Sequence, residues 1–179
     1  MTGFAVVGLG MGRNRARQVV ETEGAELRAV VDLNEALARE VGAEMGCEWC
    51  SDLDDVLGRG DVDVVFVMTP SGLHAKIGVQ AISAGKHVVT TKPMDVSTAA
   101  CDELIRAAEA AGVQIGVDYQ SRYVDSNVRV AAALAQGMLG KPILGEVRFK
   151  YSRASLQIAI VSDSQSFSKS AFSLTRFAQ

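Results

Sequence analysis

The chain has 179 residues, of which 48% are apolar and 22% charged, with a formal charge of -3 at pH 7. That supplies a packed core for one domain, or for one domain with part of a second. The mild acidity excludes an electrostatic footprint for nucleic acid, and no run of about 18 apolar residues is present to span a membrane as a helix.

The N-terminus, "MTGFAVVGLGMG", lacks the basic region and cleavage site of a signal peptide, so a cytoplasmic protein is expected. "GFAVVGLG" (3–10) predicts an apolar strand running into glycines, and "RNRARQVVETEG" a helix closed by Gly24. "AELRAVVD" (25–32) predicts a second strand ending in Asp32. The next helix, "NEALAREVGAEMG", opens on a capping Asn34 and repeats Leu37, Val41 and Met45 at helical spacing. A short strand at 47–50 and an acidic helix, "DLDDVLG", follow. "DVDVVFVMTP" (61–70) is apolar on both faces, as central parallel strands are. The helix "GLHAKIGVQAISAG", the strand "KHVVTTKP", the helix "STAACDELIRAAEAAG", the strand "VQIGVDYQ" and the helix "VDSNVRVAAALAQG" complete the series. Strands alternating with crossover helices predict an α/β fold with a doubly wound parallel sheet.

The pattern changes near residue 140. "LGKPILGEVRFKYSR" predicts a turn and one alternating strand, and from Ser152 the chain is rich in serine with no sustained period. The expected division is a dinucleotide-binding domain over 1–123, the first helix and strand of a second α+β domain over 124–151, and a tail over 152–179. Within the tail "LQIAIV" is an uncharged, β-prone segment, which predicts self-association and a homo-oligomer if it is exposed.

Gly8, Gly10 and Gly12 follow the first strand directly. In a dinucleotide site the first glycine makes the tight turn, and the second lets backbone amides approach the pyrophosphate at a helix N-terminus. Leu9 and Met11 belong to the same loop. The usual fingerprint is G-x-G-x-x-G, whereas this chain has Arg13 in the sixth place. A helix start shifted by one residue is expected, with Ala16 filling the close helix–strand contact. Asp32, about 20 residues past the glycines at the end of the second strand, suits the ribose hydroxyls of adenosine; the other reading is an N-cap for the next helix. A carboxylate there repels a 2′-phosphate, so NAD is expected over NADP, although Arg13 and Arg15 are placed near the adenine side.

Three cysteines in such a chain are expected to be reduced thiols. Cys47 and Cys50 have C-x-x-C spacing, read either as redox or zinc ligands or as two small residues flanking a strand. The second reading is preferred, because a zinc site would need further ligands from distant segments; no metal is expected.

Ligands of such sheets bind beyond the carboxyl ends of the strands. Two ends arrive there, "MTPSGLH" (68–74) and "TTKP" (90–93). His74, on the first turn of a helix, reads as a catalyst or as a helix-terminal hydrogen-bonder. Lys92 reads as an acid/base or as the cap of a strand end.

"GLGMG", "VVD", "TPSGLHA", "AGKHVVTTKP" and "GVDYQSRY", in this order, resemble the glucose–fructose oxidoreductase / inositol dehydrogenase / MocA (Gfo/Idh/MocA) family of NAD(P)-dependent dehydrogenases over about residues 3–150. The resemblance implies a Rossmann fold, a sugar, inositol or related polyol as substrate, and Lys92 as the catalytic lysine beside the nicotinamide. It implies that Thr69, Pro70 and His74 line the nicotinamide side and that Thr91 and Gln120 lie near the cofactor. Thr91 stands where the family usually has glutamate. The family's second domain carries a D-x-x-x-H arrangement that this sequence does not show. By resemblance the chain is a member cut short after its first domain, or one whose reading frame diverges near residue 152. A dehydrogenase is expected; a nucleotide-binding module without turnover is the alternative.

Overall fold

The computed structural model describes residues 1–141. Six strands form one parallel sheet in the order β3-β2-β1-β4-β5-β6. They are β1 (Thr2–Val7), β2 (Ala25–Val31), β3 (Glu48–Cys50), β4 (Val64–Val67), β5 (His87–Thr91) and β6 (Ile115–Asp118). The helices are α1 (Leu9–Glu21), α2 (Glu35–Met45), α3 (Asp54–Leu57), α4 (His74–Ser83), α5 (Thr98–Ala111) and α6 (Asp125–Ala135). This is a Rossmann-type doubly wound fold, with its reversal of strand order between β1 and β4.

The period of two in the strands divides the core into two layers. Val6, Val30 and Phe66 point to one face and pack with Leu9, Ala16 and Val19 of α1 and Ala38 and Val41 of α2. Ala5, Val31, Val65, Val67 and Val88 point to the other, against Val56 of α3, Ala81 and Ile82 of α4, and Leu104 and Ala108 of α5. Both faces of the central strands are therefore dry, and Ala5, Val6, Val30, Val65 and Val67 are fully buried.

The helices end where their residues dictate. Asn34 caps α2 by accepting the Leu37 N–H at 3.2 Å, and Gly46 closes it in the left-handed conformation. The acidic helix is a single turn, α3, and β4 is shorter than the apolar run that encodes it. α1 begins at Leu9, four residues ahead of the expected "RNRARQ", because the chain turns into helix at Gly8 without an intervening loop.

α6 follows a 3-10 turn at Gln120–Tyr123 and buries none of its residues; Val128 and Val130 stay exposed. No helix among the described residues is long and apolar enough to cross a membrane. The "LQIAIV" segment lies outside the described residues.

Candidate functional site: a cavity at the strand-order reversal

Gly8 leaves β1 with φ +88°, and a Cβ there would lie 2.8 Å from the backbone nitrogen of Thr69. Both the torsion and the neighbour exclude a side chain. α1 starts at once, with no side-chain cap and no acidic residue in its first turn. Its first N–H groups and its positive dipole end thus face the carboxyl edge of the sheet. A Cβ on Gly10 would meet nothing within 4 Å, because that glycine borders open space.

Gly12 is buried, and a Cβ on it would sit 3.1 Å from both Met68 Cβ and Val6 Cγ1. The close helix–strand approach expected at Ala16 is therefore made by Gly12, while Ala16 packs fully buried one turn later. The departure from the usual spacing moves this contact forward without removing it.

Asp32 ties the second strand to this loop. Its Oδ2 accepts the Leu9 N–H at 2.7 Å and its Oδ1 accepts the Asn34 N–H at 2.9 Å. Asn34, not Asp32, is the N-cap of α2. The carboxylate borders a cavity of about 780 Å³ together with Gly8, Leu9, Gly10 and Met11. Across that cavity stand Thr69 and Pro70 from the end of β4, then Leu73, Ile77, Lys76 and Gln80 of the following turn and helix. Leu33 and Leu53 add apolar walls. The size and the mix of apolar walls with few polar groups suit a small-molecule ligand.

The residues present fit a dinucleotide. The helix N-terminus, with its Leu9 N–H taken by Asp32 and no cap from Gly8, leaves the following N–H groups for a pyrophosphate, the open side of Gly10 allows its close approach, and Asp32 suits a ribose diol. Thr69 Oγ1 is buried with no hydrogen-bond partner among the described residues, a polar atom left for a ligand beside the cavity.

His74 is fully buried and does not border this cavity. Its Nε2 lies 2.7 Å from the carbonyl oxygen of Thr69 and its Nδ1 lies 2.9 Å from that of Pro93. One ring therefore joins the loops that end β4 and β5, and the helix-terminal reading describes its contacts. Thr91 is buried at the end of β5, while Lys92 and Gln120 are exposed. These three lie beyond the strand ends outside the cavity, on the β5–β6 side of the reversal. The Lys92–Pro93 peptide is cis.

Sequence reasoning missed Lys76, Ile77 and Gln80, whose helix is apolar enough to read as core throughout. It also misplaced Arg15. Arg13 pairs with Glu40 at 2.8 Å and with Glu44, both on α2. Arg15 crosses to Asp118 at the end of β6, the opposite direction from the adenine side. The two Glu44–arginine contacts hold that carboxyl below its usual range.

The C-x-x-C pair is divided between the two faces of the sheet. Cys47 packs with the α1–α2 layer and Cys50 with the other, so the thiols flank the short edge strand on opposite faces. Burial pushes the Cys47 thiol up to about 11 and raises that of Cys50, which suppresses the reactive thiolate. No cluster of three or more potential ligands for a metal exists among the described residues.

A glycine turn into a helix N-terminus, a carboxylate at the next strand end and a cavity at the reversal define a dinucleotide-binding α/β protein. The model of the Gfo/Idh/MocA oxidoreductase family, NAD-binding Rossmann fold, matches residues 2–119, and the chain belongs to that family. Among curated proteins it is 33% identical to inositol 2-dehydrogenase 1 of Saccharopolyspora erythraea, over 83% of this chain and 46% of that protein. It is also 33% identical to 2,7-anhydro-N-acetylneuraminate hydratase of Mediterraneibacter gnavus, over 78% of this chain and 37% of the relative. Among solved structures, the WlbA dehydrogenase of Bordetella pertussis, in complex with NADH and UDP-GlcNAcA, matches at 31% identity and a TM-score of 0.73, over 78% of this chain and 44% of that one. The chain thus spans less than half the length of these relatives.

Proposed function

We propose that this chain is the NAD-binding domain of a dehydrogenase acting on a sugar, inositol or related polyol, with the start of the substrate domain at about 124–151. The observation that carries the cofactor assignment is Asp32, which braces the glycine loop through Leu9 and borders the cavity with the same carboxylate. Gly8, Leu9, Gly10, Met11 and Gly12 form the pyrophosphate turn. A 2′-phosphate placed against Asp32 would bring two negative charges together, so NAD is preferred over NADP.

A nicotinamide held at this edge of the sheet would supply the acceptor for the hydride of the CH–OH carbon. Lys92, exposed at the end of β5, takes the hydroxyl proton on its Nζ, leaving a carbonyl product. Thr69 and Pro70 stand at the turn between the two halves of the cofactor, and His74 holds the Lys92–Pro93 loop against them through its two carbonyl contacts. Thr91 directly precedes Lys92, and Gln120 follows two residues after Asp118, the register partner of Thr91, so both flank this position.

The position of Lys92 outside the cavity favours a second reading: a module that binds NAD without turnover. Calorimetric titration with NAD⁺ and NADP⁺ of the wild type and of Asp32→Asn tests the assignment. The wild type is expected to prefer NAD⁺, and the variant to lose about tenfold of that preference. Equal affinity for both cofactors in the wild type would refute the assignment to Asp32. NADH formation with a panel of polyols, lost in Lys92→Ala while NAD⁺ still binds, separates the dehydrogenase from the silent module.

A further inference from the structure

Arg15 lies in the second turn of α1, and Asp118 ends β6 at the margin of the sheet. Arg15 Nη2 stands 2.6 Å from Asp118 Oδ2, with the two side chains only 19% and 16% exposed. The neighbouring arginines of α1 behave differently: Arg13 and Arg17 both turn to Glu44 on α2, with Arg17 at 2.6 Å. Arg15 alone among these three links the glycine-loop helix to the β4–β6 half of the sheet.

The region it crosses has no helix of its own among the described residues. Thr91 and Asp118 are register partners, as are Val89 and Gly116, so these four side-chain positions share the α1-side face. None of them belongs to the layer packed under α1 and α2. Arg15 Nε and Asp118 Oδ2 are both buried without an aligned hydrogen-bond partner, so the contact is one of charge rather than a saturated hydrogen-bonded pair. Groups so far removed from water are a poor source of stability by themselves, which directs attention to what they hold in place.

A dinucleotide must reach from the glycine loop and Asp32 on one side to the ends of β5 and β6 on the other. The separation of these two halves is a geometric requirement of its binding. We propose that the Arg15–Asp118 pair is a strut that sets this separation: it fixes the end of β6, and the turn containing Gln120 two residues later, against the helix that receives the pyrophosphate. Both are positioning residues. The proposal rests on the NAD reading above, and it makes a distinction that reading alone does not. Adenosine diphosphate carries the adenosine and the pyrophosphate but neither the second ribose nor the nicotinamide, so it engages only the glycine-loop half and does not require the strut, whereas NAD⁺ does.

The test is calorimetric titration of the full chain with NAD⁺ and with adenosine diphosphate. The variants are Arg15→Met, Asp118→Asn and the charge-reversed double Arg15→Asp with Asp118→Arg. Each single variant is expected to weaken NAD⁺ about tenfold while leaving adenosine diphosphate within about twofold, and the reversed double is expected to recover most of the NAD⁺ loss. Equal weakening of both ligands, or no weakening of either, overturns the strut, because a pair that only stabilises the fold would not discriminate between them. If those single variants fail to fold, Arg15→Lys, which keeps the charge and changes the reach of the pair, decides instead: weaker NAD⁺ with adenosine diphosphate retained supports the strut, and an equal effect on both ligands, or none on either, overturns it. A wild type that binds neither ligand overturns the cofactor reading and the strut together, whereas a wild type that binds both leaves the cofactor reading standing whatever the variants do.

Discussion

His74 lies between the carbonyl oxygens of Thr69 and Pro93, which can only accept, and its ring N–H donates to one of them. His74→Phe roughly keeps the volume and removes that donor and both polar contacts between the loops. A loss of about 2–4 kcal/mol is expected in urea unfolding, and retention of full stability would show that the two contacts contribute nothing. Cys47 sets a pH dependence. Its ordinary value of 9.0 is raised to about 11 by burial in the folded chain. Below pH 9 both states hold the thiol proton and there is no difference between them. Between the two values the unfolded chain releases its proton first, so stability falls as pH rises, by on the order of 1–3 kcal/mol. Urea midpoints from pH 8 to 11 for wild type and Cys47→Ala measure this; the variant should show the shallower decline.

The elements show where a sequence is legible. α2 is announced by Asn34 and Gly46, and both perform the roles their chemistry suggests. The central strands are announced by apolar residues on consecutive positions, and Val64, Val65 and Val67 are buried as expected. The start of α1 was hidden because four glycine-containing positions carry little helix signal, yet the geometry at Gly8 drives the chain directly into helix. The two glycines after Gly8 then differ in a way that spacing does not reveal. Gly12→Ala presses a Cβ onto Val6 and Met68 and should cost about 1–2 kcal/mol in thermal unfolding. Gly10→Ala meets no protein atom within 4 Å, so it should leave stability unchanged or raised while weakening NAD⁺ in calorimetry. Equal effects of the two changes on stability would contradict this division of roles.

At the scale of the molecule, the cavity lies where strand order reverses, as sequence order alone implied once the first strands were placed. What sequence could not supply was direction across the sheet. Residues 15 and 118 are far apart in the chain, and "GVDYQSRY", which contains Asp118, says nothing of Arg15, so only the folded register brings the two together. The same limit applies to Lys76 and Gln80, which look like one side of an ordinary amphipathic helix until α4 is laid beside the glycine loop.

The bare helix after the last strand has a further consequence, in the rate at which the backbone trades hydrogen for deuterium. β1 and β4 lie in the middle of the sheet under two dry layers, whereas α6 buries none of its residues. Amides of a segment with so little packed against it open locally, without waiting for the sheet to unfold. In deuterated buffer α6 should therefore be labelled first and β1 and β4 last. A segment that added to the chain slowed α6 without slowing the sheet would mark itself as what this helix packs against.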